Sequence, residues 1–290
     1  MDDHEMLAGR FEAHRPHLRA VAYRMLGSLS EADDAVQEAW LRLSRSDTGD
    51  VENLAGWLTT VVGRVCLDML RSRKSRNEES LEIRVPDPIL SREDGIDPEH
   101  QALLADSVGL ALLVVLDTLD PAERLAFVLH DMFAVPFDEI ARMVGRSPAA
   151  ARQLASRARR RVQGAATPDT DLNRQREVVD AFLAAARGGD FDALLAVLDP
   201  DVVLHADGGV VAAGASKTVR GARAVAGQAL LFRRFAHLSR PVLVNGALGL
   251  VTAPDGKPMS IMGITIARGK MVELDILADP ERLSRIDLPS

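Results

Sequence analysis

Four side chains in the last third of the chain have the residue types of proton transfer. His205 and Asp207 alternate onto one face of the run VVLHAD, and Glu273 and Asp275 alternate onto one face of KMVELDIL, because successive strand residues point to opposite sides. Such groups are able to line a polar pocket. A solvent-facing strand edge carries the same pattern, so no catalytic residue is assigned. The seven histidines show no metal-ligand spacing: His14 and His17 are the closest pair, and neither is backed by cysteine or a carboxylate cluster. No phosphate-binding glycine loop and no GxSxG is present. The single cysteine, Cys66, lies in an apolar helical segment; it excludes an internal disulfide and fits a reducing compartment. No catalytic group, metal or cofactor is expected.

A different chemistry is written in residues 137–162, FDEIARMVGRSPAAARQLASRARRRV. Ser147 is a suitable N-cap and Pro148 suits the first helical position, where its missing N–H costs nothing. Ile140, Met143 and Val144 form one apolar face, and Ala151, Leu154, Ala155, Ala158 and Val162 recur at helical spacing to meet it. The outline is a helix-turn-helix. The remaining face of the second helix carries Arg152, Gln153, Ser156, Arg157, Arg159 and Arg160, donors for phosphate oxygens and base edges. A solvated helix whose arginines complement its C-terminal dipole has the same composition.

The N-terminal block that accompanies these elements reads as helical throughout. A helix from 31 is announced by Ser30-Glu31-Ala32-Asp33, with Ala35, Val36, Ala39, Trp40 and Leu43 as its apolar stripe. Its opposite side shows Asp34, Gln37, Glu38 and Leu41. A long helix over about 54–72 turns Leu54, Trp57, Leu58, Val61, Val62, Val65 and Met69 inward and Thr59, Thr60, Arg64, Asp68 and Arg71 outward, and ends in RSRKSR.

At 290 residues and 47% hydrophobic, the chain holds two or three domains. Its net charge of −7 is unevenly spread. Residues 77–100 hold two basic and eight acidic side chains and so carry −6 of it, leaving nearly neutral flanks with local basic patches. Such flanks bind duplex DNA weakly by themselves, since nonspecific affinity comes mostly from phosphate neutralisation. A partner that supplies further DNA contacts is implied. The start lacks an apolar signal region, and the apolar run VGLALLVVL at 108–116 is too short to span a bilayer. A cytoplasmic protein with no membrane contact is expected.

Three stretches, FEAHRPHLRAVAYRMLGSLSEADDAVQEAWLRL, NLAGWLTTVVGRVCLDMLRSRKSR and DPAERLAFVLHDMFAVPFDEIARMVGRSPAAARQLASRARRRV, together resemble an extracytoplasmic-function (ECF) sigma factor. The resemblance implies that Asp34, Gln37, Glu38 and Leu41 dock on the clamp of the largest subunit of core RNA polymerase. It implies that Trp57, Thr60, Arg64, Arg71, Arg73, Lys74 and Arg76 meet a melted minus-ten element. Ser147, Arg152, Gln153, Ser156, Arg157, Arg159 and Arg160 then read the minus-35 duplex in the major groove. In the family, acidic linkers of this kind thread into the polymerase channel that later carries nascent RNA; an ordinary flexible tether has the same composition.

From Asn173 the texture changes. Helical text, NRQREVVDAFLAAARGGDFDALLAVL, gives way to the short runs VVLHA, RPVLVNG, LGLVTA, PMSIMGITIARG and KMVELDIL, with a helix near 221–236. This part resembles the SnoaL-like, NTF2-like domain fused to the SigJ-like group of ECF sigma factors, whose signatures are WLPEP, DGGGK and NPDKL. Here they read IRVPDPIL, HADGGVV and ADPERL. The Pro86-Asp87-Pro88 core lacks the leading tryptophan, and Val210 and Val211 replace the final Gly-Lys. The resemblance implies that Pro86, Asp87, Pro88, Asp207, Gly208, Gly209, Asp279, Pro280 and Arg282 are regulatory interdomain residues, although Asp-Gly-Gly also closes hairpins and Asp-Pro also starts helices. Its fold hosts isomerases that pair an acidic base with a tyrosine, but the one tyrosine is Tyr23, outside this part.

The expected architecture is multidomain: two all-α sigma domains, a helical bundle at 1–76 and a helix-turn-helix domain at 101–164, then an α+β NTF2-like cone at 173–290, joined by linkers at 77–100 and 165–172. The expected function is promoter-specific initiation by bacterial RNA polymerase, by a chain monomeric when free and modulated by its third domain, whose small-molecule ligand, if it has one, is unknown. The alternative is a one-component helix-turn-helix regulator with a ligand-sensing C-terminal domain.

Overall fold

The computed structural model describes residues 3–45, 53–77, 84–91, 109–164, 166–209, 216–286 and 288–289. These form two compact units, one from the described residues within 3–77 and 115–164, the other from 84–91, 109–114 and 166–289. No described helix is long and apolar enough to cross a membrane. The acidic stretches 78–83 and 92–108, the side chain of Arg76, and Val210 and Val211 lie outside the described residues.

In the first unit, α1 (Asp3–Leu26), α2 (Leu29–Leu43) and α3 (Leu54–Asn77) bury one another's apolar stripes. Phe11, Leu18, Val21 and Met25 meet Ala35, Val36, Ala39 and Leu43 of α2 and Leu58, Val62 and Cys66 of α3, all under 2% exposed. α2 starts two residues earlier than the spacing around Ser30 predicts. Gly27, at φ +68°, ends α1 in the left-handed region, and Ser28 becomes the N-cap, accepting from Glu31 N. Thr59, expected on the outer face of α3, is 5% exposed. Its hydroxyl donates to Ala55 O at 2.8 Å and stands 3.3 Å from His17 Nε2. That histidine is held below its usual pKa, first by burial and then by nearby His14 and Arg24.

The same unit contains α4 (Leu110–Asp117) in its last residues, α5 (Pro121–Phe127), a π-helical turn (Val128–Met132), α6 (Phe137–Val144) and α7 (Pro148–Gln163). The helix-turn-helix is as the sequence spacing predicts. Gly145 closes α6 at φ +66°, Ser147 Oγ accepts from Ala150 N at 3.2 Å, and Pro148 opens α7. Leu125, Leu129 and Met143 crowd the space beside Gly63 of α3, so the first three helices and the helix-turn-helix share one core. Arg124, 2% exposed, fastens that seam: Nη1 donates to Asp117 at 2.8 Å, while Nε and Nη2 donate to Arg24 O at 3.4 and 3.3 Å.

In the second unit, α8 (Leu172–Gly188) and α9 (Phe191–Val197) cover a seven-stranded sheet in the order β1-β4-β5-β6-β7-β2-β3. The strands are β1 (Leu90–Ser91), β2 (Leu198–Asp207), β3 (Lys217–Arg220), β4 (Ser239–Val244), β5 (Ala247–Thr252), β6 (Ser260–Ala267) and β7 (Lys270–Leu277). β2 and β7 run parallel and all other neighbours antiparallel. Between β3 and β4 lie α10 (Ala222–Leu231) and α11 (Arg233–Ala236), and α12 (Pro280–Leu283) follows β7. Val179, Phe182, Leu183 and Leu194 of the helices meet Leu204, Leu248, Ile264 and Leu274 of the sheet in the core. The architecture is therefore a helical part, ending in a helix-turn-helix, followed by an α+β part, as expected.

Residues 84–91 are not a loose tether. Val85, Ile89 and Leu90 are buried, and β1 pairs with β4 through Leu90↔Val244 and Ser91↔Leu243. Ile89 is held on both sides by Asn245, donating to its Oδ1 at 3.0 Å and accepting from its backbone N at 2.8 Å. The cause is compositional: the apolar residues between the prolines and Ser91 bury against a sheet edge that would otherwise expose unpaired backbone groups.

Candidate functional site: the linker clamp and the nucleic-acid faces

The three short signatures meet around one guanidinium. Asp279 caps α12, accepting from Glu281 N at 2.9 Å, and Pro280 follows at the first helical position, so the Asp-Pro pair does start a helix. That turn directs Arg282 at the linker. Its Nε donates to Asp87 Oδ1 at 2.8 Å, Nη1 to Asp207 Oδ2 at 2.7 Å, and Nη2 to Val85 O at 2.5 Å and to Asp87. Asp207 Oδ2 also accepts from Val85 N at 3.0 Å, and its Oδ1 accepts from Gly209 N at 3.1 Å. Side-chain exposures of 16% for Arg282, 14% for Asp87 and 6% for Asp207 put this network out of bulk water, where charge-assisted hydrogen bonds are strong. Pro86 and Pro88 are buried on either side of Asp87, and neither leaves an N–H to satisfy.

Asp-Gly-Gly serves a turn as well as the clamp. Gly209 sits at φ +71°, and a Cβ there would run into the Asp279 carboxylate. Gly208 N donates to Ser216 Oγ at 3.2 Å at the base of the β2–β3 hairpin. Two contributors escaped sequence reasoning. Asn245 holds Ile89 from 156 residues away, and β1 is only two residues long, too short for any period to register.

Of the four acid–base groups singled out at the start, His205, Glu273 and Asp275 converge, while Asp207 turns to Arg282. Parallel pairing sets His205 opposite Asp275 and Val203 opposite Glu273. His205 Nδ1 lies 2.9 Å from Asp275 Oδ1 and 3.5 Å from Glu273 Oε1. Burial, with Asp275 adjacent, lifts Glu273 to about 7. Burial also raises Asp275, and the hydrogen bond to Asp275 raises His205.

On α2, Asp34 and Gln37 are exposed, Glu38 is half-buried and accepts from Arg42 Nε at 2.9 Å, and Leu41 is 37% exposed. Trp57, Thr60 and Arg64 of α3 line a groove of about 700 Å³ that also takes in Asn53 and, from α6, Glu139 and Arg142. The basic end of α3 is partly committed inside the unit. Arg73 donates to Leu26 O at 3.3 Å and pairs with Glu31, Lys74 lies 3.1 Å from Asp120, and Arg71 lies 3.9 Å from Asp68.

On α7 the basic face divides similarly. Gln153, Ser156 and Arg160 are exposed, and exposed Arg152 lies over the Phe137 ring at 5.6 Å. Arg157 reaches Glu123 at 3.5 Å and Arg159 pairs with Asp131 at 2.5 Å. Ser147 spends its hydroxyl on the N-cap.

Comparison with known proteins accords with this geometry. Residues 10–76 match the Sigma-70 region 2 family and residues 109–162 the Sigma-70 region 4 family. The chain is 41% identical over 296 residues to the ECF RNA polymerase sigma factor SigJ of Mycobacterium tuberculosis H37Rv, covering 96% of this chain and 94% of that one. It is 35% identical over 295 residues to a probable ECF RNA polymerase sigma factor, SigI, of M. tuberculosis, covering 98% and 97%. The crystal structure of M. tuberculosis SigJ superposes with a TM-score of 0.75 at 38% identity, covering 96% of this chain and 98% of that chain. With helical sigma elements, a linker clamped to an α+β part and relatedness along nearly its whole length, the chain belongs to the ECF RNA polymerase sigma factor family.

Proposed function

We propose that this sigma factor directs bacterial RNA polymerase to its promoters in the cytoplasm, and that its C-terminal domain controls it in cis by gripping the interdomain linker. The observation that carries the regulatory half is the fork of Arg282, shared between Asp87 of the linker and Asp207 of the sheet. A linker seated this way is withheld from any channel in the polymerase, so the clamped chain is the resting state and core polymerase competes with the clamp. The α2 face at Asp34, Gln37, Glu38 and Leu41 engages the clamp of the largest polymerase subunit. Trp57, Thr60, Arg64 and Arg71 of α3 take the melted minus-ten strand. Arg152, Gln153, Ser156 and Arg160 of α7 read the minus-35 duplex, with Arg157 joining when it leaves Glu123. The chain itself performs no chemistry and works as a monomer until it meets the polymerase.

The test is an anisotropy titration of labelled full-length chain with core polymerase. Arg282→Ala is expected to bind core at least threefold more tightly than the wild type, because the linker is no longer held. Equal affinity would remove the clamp from the control of polymerase binding. Charge reversal at Asp34 and Glu38 is expected to abolish binding in the same titration while circular dichroism stays unchanged.

A further inference from the structure

His205, Glu273 and Asp275 lie on the sheet face opposite to Leu204 and Leu274, which enter the apolar core. One donor atom from each lies within 4.8 Å of the other two. Ligands held at about 2.0–2.2 Å around a single ion stand about 3–3.4 Å apart. The separations of 2.9 Å from His205 Nδ1 to Asp275 and 3.5 Å to Glu273 fall just either side of those edges, and the third edge is at most 4.8 Å. Both carboxylates face the same imidazole nitrogen, Nδ1, so an ion bound there would replace the proton that Nδ1 shares with Asp275.

Charge and access point the same way. Asp275 is 1% exposed. Among the described residues, no lysine or arginine forms an ion pair with it or with Glu273; exposed Arg220 on β3 acts on Glu273 and His205 only from a distance. Among the described residues the one positive charge in contact with the two carboxylates is a protonated His205, so that one cation faces two buried or half-buried carboxylates, an uneven balance away from water. Glu273 and His205 remain 22% and 18% exposed, so the cluster opens to solvent and has room for water as further ligand.

We propose that His205 Nδ1, Glu273 and Asp275 form a binding site for a divalent first-row transition cation, with water completing the coordination. One imidazole and two carboxylates suit zinc, manganese or ferrous iron, whereas calcium and magnesium prefer oxygen alone. Sequence spacing missed the site because its ligands come from strands 70 residues apart. Asp207 is two residues beyond His205 on the same face of β2, which brings the ion beside the clamp; the site itself stands whether or not the clamp regulates.

The experiment uses the chelator-stripped full-length chain at pH 7.5, titrated with Zn²⁺ against a chromophoric chelator and with Co²⁺ followed by visible absorption. The wild type is expected to take up one Zn²⁺ at least tenfold more tightly than Glu273→Gln and His205→Ala, and to give Co²⁺ a protein-bound spectrum that both variants lose. Glu273→Gln keeps the side chain's volume in a partly open position, so its fold, checked by circular dichroism, is retained. A His14→Ala, His17→Ala chain is expected to bind as the wild type does. Equal Zn²⁺ affinity in wild type and Glu273→Gln, a Co²⁺ spectrum unchanged by the protein, or displacement of Zn²⁺ by millimolar Mg²⁺ would each overturn the site.

Discussion

At the scale of single residues, Arg282 acts as a fork, and a point charge in its place would not. Its nitrogens meet two carboxylates and a backbone carbonyl in different directions, a pattern that an ammonium group cannot reproduce. Arg282→Lys is therefore expected to behave in urea unfolding almost as Arg282→Ala does. Alanine leaves Asp207, 4% exposed, without its cation, and lysine cannot bridge Asp87 and Asp207 as the fork does, so each is expected to cost roughly 3 kcal/mol; full stability of the lysine variant would show that charge alone suffices. Gly209→Ala adds left-handed strain of about 1–2 kcal/mol to a collision with Asp279, and its melting temperature is expected to fall by several degrees. The residues of this network were legible as three short words in the sequence. That they share one arginine was not, because Arg282 and Asp87 are 195 residues apart and hydrogen-bond directions leave no periodic trace.

At the scale of elements, what the sequence disclosed follows how strongly each element marks its own ends. The helix-turn-helix was legible to the residue because Gly145, Ser147 and Pro148 have backbone requirements that few other residues meet. The start of α2 was displaced because Ser28 and Ser30 are both acceptable caps, and Gly27 decides between them. β3, four residues with no apolar alternation, and β1 are strands only because neighbouring edges accept them. On the proposed reading, the same reasoning separates exposed α7 side chains that read DNA from those held by partners within the unit. Arg152→Ala with Gln153→Ala is expected to weaken protection of the minus-35 element at least tenfold in a footprint of the polymerase complex, since both side chains are exposed. Arg159→Ala is expected to act mainly on stability, because its partner is Asp131. Reversed effects would mean that α7 presents another face to DNA.

At the scale of the molecule, the charge distribution and the packing describe a protein that waits for a partner. Residues 1–76 and 101–164 are nearly neutral overall, and several of their basic groups, Arg73, Lys74, Arg157 and Arg159, are engaged by acidic groups of the same unit. A chain of this kind has little to offer duplex DNA until polymerase adds contacts of its own. Gly63 lies at the seam where α3 meets Leu129, and a bulkier residue there presses the helices apart. Gly63→Val is expected to lower the unfolding midpoint through overpacking of about 1–3 kcal/mol; an unchanged midpoint would mean that the seam gives way freely. The most direct measurement is run-off transcription by purified core polymerase supplied with the full-length chain, with footprints on both promoter elements. The expected result is transcript from a defined start, dependent on the chain, with minus-35 and minus-ten protected only when polymerase is present. Strong, salt-sensitive protection of DNA by the chain alone, with no transcript when core is added, would contradict this and describe a one-component regulator instead.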